Sequence, residues 1–321
     1  MLRPERSPPR RTDLDLIGKS ARLHYEFGLT HREISEMLGI SRVKVTRLLR
    51  QARDIGMVQI TVNSDASPYA LLETGLVARY ALDEAVVVPS FDEGQRQRAA
   101  VARGAAGYLQ RVLRDGMTVT IGLSRTLALM PDFIVAPAHV DATFVPLGGG
   151  LSRTSHAVNA HESTERLAQL FGGRAEHLHA PAVMGSRDVA AALCGEPAIA
   201  RALSAAAQAD VALVGVGGMQ TASVNLLAAG DITPAELDEL RAAGAVGDIG
   251  ARFFDRDGRP IAHELNDRLI GLTLDEITRI GIRVVAAAGP EKDTALRAAL
   301  HARRATVLVT DHAMAGRLLE D

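Results

Sequence analysis

The sequence predicts an α/β protein with an N-terminal winged helix-turn-helix followed by a doubly wound, mostly parallel α/β domain. Three observations lead to this. A pair of capped helical patterns stands between Thr30 and Ile55. From Tyr69 onward, short β-branched runs alternate with helical patterns. The charge also divides. Residues 1–60 carry 12 Lys and Arg against 7 Asp and Glu, a net of +5, whereas the remainder carries 24 against 31, a net of −7. At 321 residues the chain is long enough for two or more domains.

The head is read from its punctuation. Thr30-His31-Arg32-Glu33 fits a capping box, in which Thr30 caps and Glu33 reaches back. Ile34, Met37 and Leu38 follow at helical spacing, and Gly39 suits the left-handed residue that ends a helix. Ile40 plugs the angle, and Ser41 caps the next helix. That helix puts Val45, Leu48, Leu49, Ala52 and Ile55 on one stripe. Its other side carries Val43, Arg47 and Arg50, with Lys44 and Thr46 beside them. A supporting helix is expected over Asp13–Phe27, with Leu14, Ile17, Ala21 and Tyr25 inward. Met57–Val62 alternates like a strand and is expected to be a wing.

A basic helix preceded by a capped helix is the geometry that enters a DNA major groove by its N-terminal half. The residues expected to contact DNA are Thr30, Ser41, Arg42, Val43, Lys44, Thr46, Arg47 and Arg50. Arg and Lys suit guanine edges and phosphates, and Val43 and Thr46 suit a thymine methyl.

In the body, strands are predicted at Glu84–Val88, Thr118–Ile121, Ala142–Pro146, Val211–Val216, Val246–Phe254, Arg283–Ala287 and Thr306–Val309. Helices are predicted at Gln95–Leu113, Glu162–Phe171, Pro234–Ala242, Lys292–His301 and His312–Leu319. The predicted division is a disordered tail over 1–12, the head over 13–63, a linker over 64–68 and the body over 69–321. Strands separated by helices imply a parallel sheet, whose ligands bind at the carboxyl ends of strands. Four loops there are rich in Gly: Ile121–Thr126, Leu147–Ser155, Val214–Met219 and Ala286–Lys292. Gly allows close backbone approach, and helix starts offer amides to an anion. Ser124, Thr126 and Lys292 would complete a phosphate cradle.

Composition narrows the alternatives. The chain is 47% hydrophobic, yet no apolar run reaches the ~20 residues of a membrane span. The N-terminus lacks the apolar core of a secretory signal. The single cysteine, Cys194, excludes an internal disulfide and reads as a buried filler. The ten His residues show no metal-binding spacing, so neither metal nor cofactor is expected. A cytoplasmic location follows.

The blocks LTHREISEMLGISRVKVTRLLRQARDIGMVQI, ADVALVGVGG, AAGAVGDIGARFFDRDGRPI, LNDRLIGLTLDEI and VLVTDHAMAGRLL resemble the SorC family of bacterial transcriptional regulators. The resemblance covers nearly all of the chain after residue 13. It implies a sugar-binding domain similar in fold to glucosamine-6-phosphate deaminase and ribose-5-phosphate isomerase. It further implies a phosphorylated sugar or polyol effector, and assembly as a homodimer or homotetramer on operator DNA. Carried over by motif, Gly122, Ser124, Arg125 and Thr126 would line a phosphate loop, Gly148 and Gly149 a wall, Asp248 the sugar, and Lys292 the phosphate. Gly217 lies in the matching VGVGG loop. Many members carry a longer, Trp-containing loop at GLSRT and paired Gly at Ala288-Gly289.

An effector-controlled transcriptional regulator is therefore expected. The alternative is a sugar-phosphate isomerase or deaminase with a DNA-binding head, in which Asp248, Asp311 or His312 would act as acid and base. A third reading is a DNA-bound scaffold without a ligand.

Overall fold

The computed structural model describes residues 11–58, 68–135, 139–152, 160–221 and 224–320. The chain forms two compact units, Met1–Ala66 and Ser67–Asp321. The expected N-terminal tail lies mostly outside the described residues, as do Gln59–Val62 of the expected wing and most of the 64–68 linker.

The head is three helices, α1 (Arg11–Tyr25), α2 (His31–Leu38) and α3 (Arg42–Asp54). The Thr30 amide donates to Glu33 Oε2 at 2.8 Å, while the Glu33 amide donates to Thr30 Oγ1 at 3.3 Å, so α2 starts with both halves of its capping box. Gly39 takes φ 64° and ends α2. Ser41 Oγ accepts the Lys44 amide at 3.2 Å and starts α3. Ile17 and Ala21 pack on Leu48 and Ala52, while Ile34 packs on Val45 and Leu49. Ile40 touches both groups and so holds the angle between α2 and α3. Three expected apolar positions are instead exposed: Tyr25 at the end of α1, Met37 on α2 and Ile55 after α3.

In the body, α4 (Ala70–Tyr80) precedes β1 (Glu84–Val88), α5 (Gly94–Val112) and β2 (Thr118–Ile121). A 3-10 turn, Leu127–Phe133, leads to β3 (Thr143–Pro146), α6 (Ala160–Phe171), β4 (Arg174–Ala175), α7 (Arg187–Cys194) and α8 (Pro197–Ala207). There follow β5 (Val211–Val214), β6 (Val216–Gly218), α9 (Asn225–Ala229), α10 (Pro234–Ala242), β7 (Gly247–Ile249) and β8 (Arg252–Phe254). The chain ends with α11 (Glu264–Arg268), α12 (Leu274–Arg279), β9 (Ile282–Ala286), α13 (Asp293–His301), β10 (Val307–Asp311) and α14 (His312–Leu319).

Seven strands form one parallel sheet in the order β1-β10-β9-β5-β2-β3-β4. Successive side chains on a strand point to opposite faces. Accordingly Val211 and Leu213 pack with α5, the 3-10 turn and α6, while Ala212 and Val214 pack with α4, α8 and α12–α14. Burial on both faces is why β5 reads as an unbroken apolar run. The chain order reverses between β2 and β5. From β2 the strands proceed to β3 and β4, and from β5 they proceed to β9 and β10 on the other side. The connecting segments therefore part at the carboxyl ends of β2 and β5 and leave a crevice.

Two predicted strands need correction. Val211–Val216 breaks at Gly215 into β5 and β6. Val246–Phe254 is a hairpin, because Gly250 and Ala251 both take positive φ, 58° and 68°, and fold β7 onto β8. Two adjacent positive φ values match a two-residue hairpin turn. With β6 these form a small antiparallel sheet. Buried Arg252 fastens it. Its guanidinium donates to the Leu269, Gly271 and Leu272 carbonyls at 2.6–3.1 Å and also to Asn266.

Gly148 and Gly149, expected as a wall of the ligand site, lie in the packing seam with Ile270–Gly271 and Pro181. The Gly149 amide donates to the Ile270 carbonyl at 3.0 Å. A Cβ on Gly149 would stand 2.2 Å from the Pro181 carbonyl oxygen. Gly149→Ala is therefore expected to destabilise the protein by about 1–3 kcal/mol, the usual cost of overpacking. Urea unfolding measures it, and wild-type stability would show that this seam is free to open.

Candidate functional site

The outer face of α3 presents Arg42, Val43, Thr46, Arg47 and Arg50 to solvent, with Lys44 part-buried beside them. Val43 is 80% exposed, so its side chain is free to meet a base methyl. Thr30 and Ser41 stand exposed at the starts of α2 and α3, but their hydroxyl oxygens are already engaged as caps. The geometry gives one cationic, groove-sized helix face whose opposite stripe is fully committed to the head's core.

In the body, the crevice at the β2/β5 reversal is about 190 Å³. Ser124, Arg125 and Thr126 reach it from the loop after β2, Gly215 and Gly217 from β5–β6, and Asp248 from β7. Ala288–Lys292 close it from the end of β9. Of the residues expected from the sequence, Ser124, Arg125, Thr126, Gly217, Asp248 and Lys292 thus converge on one space. Gly122 does not line it. It is buried at the end of β2, where its amide donates to the Leu213 carbonyl at 2.9 Å.

Small residues let these segments meet. A Cβ on Gly217 would fall 2.0 Å from Asp248 Oδ1, and one on Gly218 would fall 2.7 Å from the Glu291 carbonyl oxygen. A Cβ on Gly215 would be 2.7 Å from Ser124 Oγ. The VGVGG run is thus a strip on which the Asp248, Glu291 and Ser124 segments all rest.

The expected cradle of free amides is not what forms. Ser124 Oγ itself accepts the Thr126 and Leu127 amides at 3.2 and 3.3 Å. Pro290–Lys292 is a 3-10 turn, with α13 beginning only at Asp293. There the Lys292 amide donates to the Gly289 carbonyl. Side chains therefore set the polarity of the crevice. Arg98 of α5, Arg125 and Lys292 are the three cations on its wall. Burial pushes the Lys292 ammonium down, opposed by Glu291, and Arg125 adds to the downward push. Burial likewise lowers Arg125, and the Arg98 charge lowers it further. Arg125 and Lys292 are thus each disfavoured by burial and by neighbouring cations, with Glu291 opposing this for both.

Asp248 is pushed the other way. Burial raises its carboxyl from 3.8 to about 6, against the Ala251 amide, which donates to Oδ2 at 3.1 Å, and the Lys292 charge. Asp311 has a different task. Its Oδ1 accepts the Ser90 hydroxyl at 2.7 Å and the Ala313 and Met314 amides, capping α14. It does not line the crevice, and its Oδ1 is committed to the cap.

Sequence reasoning missed Arg98, Gln97, Phe91, Asp92 and Asn225, all of which line the crevice. Gln97 is buried and accepts the Phe91 amide at 2.6 Å, so it shapes the loop after β1. Arg98 lies near the start of an Ala- and Arg-rich helix, where nothing in the local pattern separates it from the solvated arginines.

Residues 65–320 match the sugar-binding domain family, and residues 12–65 match the Crp-like helix-turn-helix domain. The transcriptional regulator LsrR of Klebsiella pneumoniae is 30% identical over 308 residues, covering 95% of this chain and 93% of that protein. The deoxyribonucleoside regulator of Bacillus subtilis is 30% identical, with 94% and 96% covered. The full-length sorbitol operon regulator SorC from Klebsiella pneumoniae superimposes with a TM-score of 0.72 at 26% identity, covering 96% and 100%. The chain belongs to the SorC/DeoR family of transcriptional regulators.

As in that family, a helix-turn-helix head precedes a parallel α/β sugar-binding domain. Within the described residues of this SorC-family regulator, no single helix is long and apolar enough to cross a membrane. Its raised Asp248 carboxyl has a consequence for stability. The folded state holds a proton that the unfolded state releases, so stability falls as pH rises from about 4 to about 6. Asp248→Asn keeps an acceptor for Ala251 and removes this cost. It is expected to raise stability at pH 7.5 by up to about 3 kcal/mol, with the gain vanishing below pH 4. Denaturant titrations at both pH values measure it. An equal effect at both would assign the change to lost contacts rather than to charge.

Proposed function

We propose that this SorC-family regulator is controlled by a small sugar, polyol or sugar phosphate bound in the crevice at the β2/β5 reversal. The observation that carries this reading is the meeting of Arg98, Arg125 and Lys292 around a polar space that also holds Asp248 and Asn225. An anionic group satisfies the cations. Asp248 and Asn225 suit hydroxyl groups, since a carboxyl and an amide both exchange hydrogen bonds with them. A volume of about 190 Å³ is below the ~300–1,000 Å³ of sites for larger ligands, which favours a single sugar over an oligosaccharide. The names of relatives point the same way, among them an erythritol catabolism regulator and a sorbitol operon regulator.

Operator DNA is bound by the outer face of α3, with Arg42, Val43, Lys44, Thr46, Arg47 and Arg50 in the groove and Thr30 and Ser41 at its edge. The regulator works in the cytoplasm as at least a dimer, because one such head spans only a half-site and two-fold proteins match two-fold operators. The effector acts by binding one arrangement of the assembly more tightly than another.

A thermal-shift screen of sugars and polyols, each with its phosphate ester, tests the reading. A binder at ~100 times its dissociation constant adds about 2.7 kcal/mol of stability. No shift with any member of such a panel would remove the crevice as an effector site.

Lys292→Ala and Arg98→Ala are each expected to weaken a phosphorylated effector by about 1.5–3 kcal/mol, roughly 10- to 150-fold. Effector-free DNA affinity should stay unchanged. Calorimetry measures the former, and unchanged affinity in both variants would point to an uncharged effector held by Asp248. For the head, Arg47→Ala is expected to cost ~1–3 kcal/mol of operator affinity if Arg47 reads a base. Gel-shift titration with an unchanged midpoint would take Arg47 out of the interface.

A further inference from the structure

Thr46 on α3 is held by a residue of another helix. Its Oγ1 lies 3.1 Å from the Arg42 carbonyl oxygen one turn back and 3.2 Å from Nδ1 of His31, the first residue of α2. A hydroxyl has a single proton. The hydroxyl proton is shared out between these two neighbours: it goes to the Arg42 carbonyl while His31 Nδ1–H donates to Thr46, or it goes to Nδ1 when the ring is in its other tautomer. In both arrangements the Thr46 proton is spent inside the head. The ring is itself set in place. It meets the His24 ring edge-on at 5.1 Å, and His24 Nδ1 bonds the Leu29 carbonyl at 2.9 Å, before the Thr30–Glu33 box that starts α2. A run of contacts thus crosses from α1 through α2 to the exposed face of α3.

This restricts what Thr46 can do. In a helix a Thr side chain divides between two rotamers because its oxygen can bond the preceding turn. The His31 bond selects the one observed. It also leaves the hydroxyl with no proton to offer and a lone pair unoccupied. A Thr in this state accepts from adenine N6 or cytosine N4, or packs its methyl group against thymine, but donates to neither guanine O6 nor N7.

We propose that His31 is a specificity-determining positioning residue, which fixes Thr46 as an acceptor-only reader of one base pair in each half-site. The proposal rests on the reading that the outer face of α3 binds operator DNA. His31 touches no base in this scheme and acts through Thr46.

The test selects sequences from a randomised duplex library with the full-length protein, then titrates the selected duplex against single-base variants. With wild type, one position is expected to discriminate against guanine by about 5- to 150-fold, the usual worth of a good base contact. His31→Ala is expected to reduce that discrimination to less than about threefold while leaving the other positions and the salt dependence unchanged. His31→Asn keeps a donor near the Nδ1 position and is expected to restore most of it. Thr46→Val removes the hydroxyl at nearly constant shape and should lose the same discrimination, and adding His31→Ala to it should change nothing further.

Retained discrimination in His31→Ala overturns the proposal. So does uniform weakening on all sequences with a salt slope smaller by about one, which would make His31 a phosphate contact. If His31→Ala proves unfolded by circular dichroism, Thr46→Val alone decides, and unchanged discrimination in it counts against the proposal. Arg47→Ala separates the two levels. Should Arg47→Ala lose affinity while Thr46→Val keeps its selectivity, α3 still binds DNA and only the role of His31 fails. Should neither variant change anything, the reading of α3 itself fails.

Discussion

The crevice at the β2/β5 reversal depends on close approach along the strip Gly215–Gly218. Three separate segments reach it: the loop after β2 at Ser124, the hairpin strand at Asp248, and the turn after β9 at Glu291. Each rests where a methyl group would stand 2.0–2.7 Å from its atoms. A side chain there would displace the Asp248 carboxyl and the Ser124 hydroxyl and would collide with the Glu291 backbone. The absence of side chains on this strip therefore does more than permit a turn. It lets Asp248, Ser124 and Glu291 come close to the same short segment at the carboxyl ends of the strands.

That placement creates an electrostatic conflict. Burial disfavours the charges of Arg125, Lys292 and Asp248 together. Attraction between Lys292 and Asp248 repays only part of the cost, and Arg98 adds repulsion on the cationic side. An anion bearing hydroxyl groups satisfies both ends at once. The surrounding hydrogen bonds are spent elsewhere: Ser124 caps its own turn, Asp311 caps α14, and Arg252 ties down the Asn266–Leu272 carbonyls. These groups serve the scaffold, whereas the charged groups Arg98, Arg125, Lys292, Asp248, Asp92 and Glu291 line the crevice.

The head follows the same division of labour on a smaller scale. Caps at Thr30 and Ser41 fix where two helices begin, and Ile40 fixes the angle between them. With that frame settled, the outer face of α3 needs no partner within the head except at Thr46, whose hydroxyl is held by His31.

Local chemistry alone determined a good deal. Thr30, Glu33, Gly39 and Ser41 act within a few residues of themselves, so their helix boundaries were legible without any tertiary information. The strand β1 was legible from its β-branched run Val86–Val88, and β2 from the β-branched Thr118–Ile121 with Val and Ile alternating with Thr. The identity of the family was legible for the same reason, since it rests on contiguous blocks of sequence. The β7–β8 turn was misread because Gly250-Ala251 sits inside an apolar stretch and only a positive φ at Ala251 reveals it. Gly148 and Gly149, which the sequence places at the ligand, serve contact with Ile270 and Pro181, some 120 and 30 residues away in the chain. Arg98 entered the site, although on its helix it resembles any solvated arginine, because the fold brings the start of α5 over the end of β2. Backbone propensity and capping act over a few bonds and are written in the local sequence. Which glycine meets a backbone, and which cation meets a crevice, is decided by strand order, and that emerges only when distant segments pack.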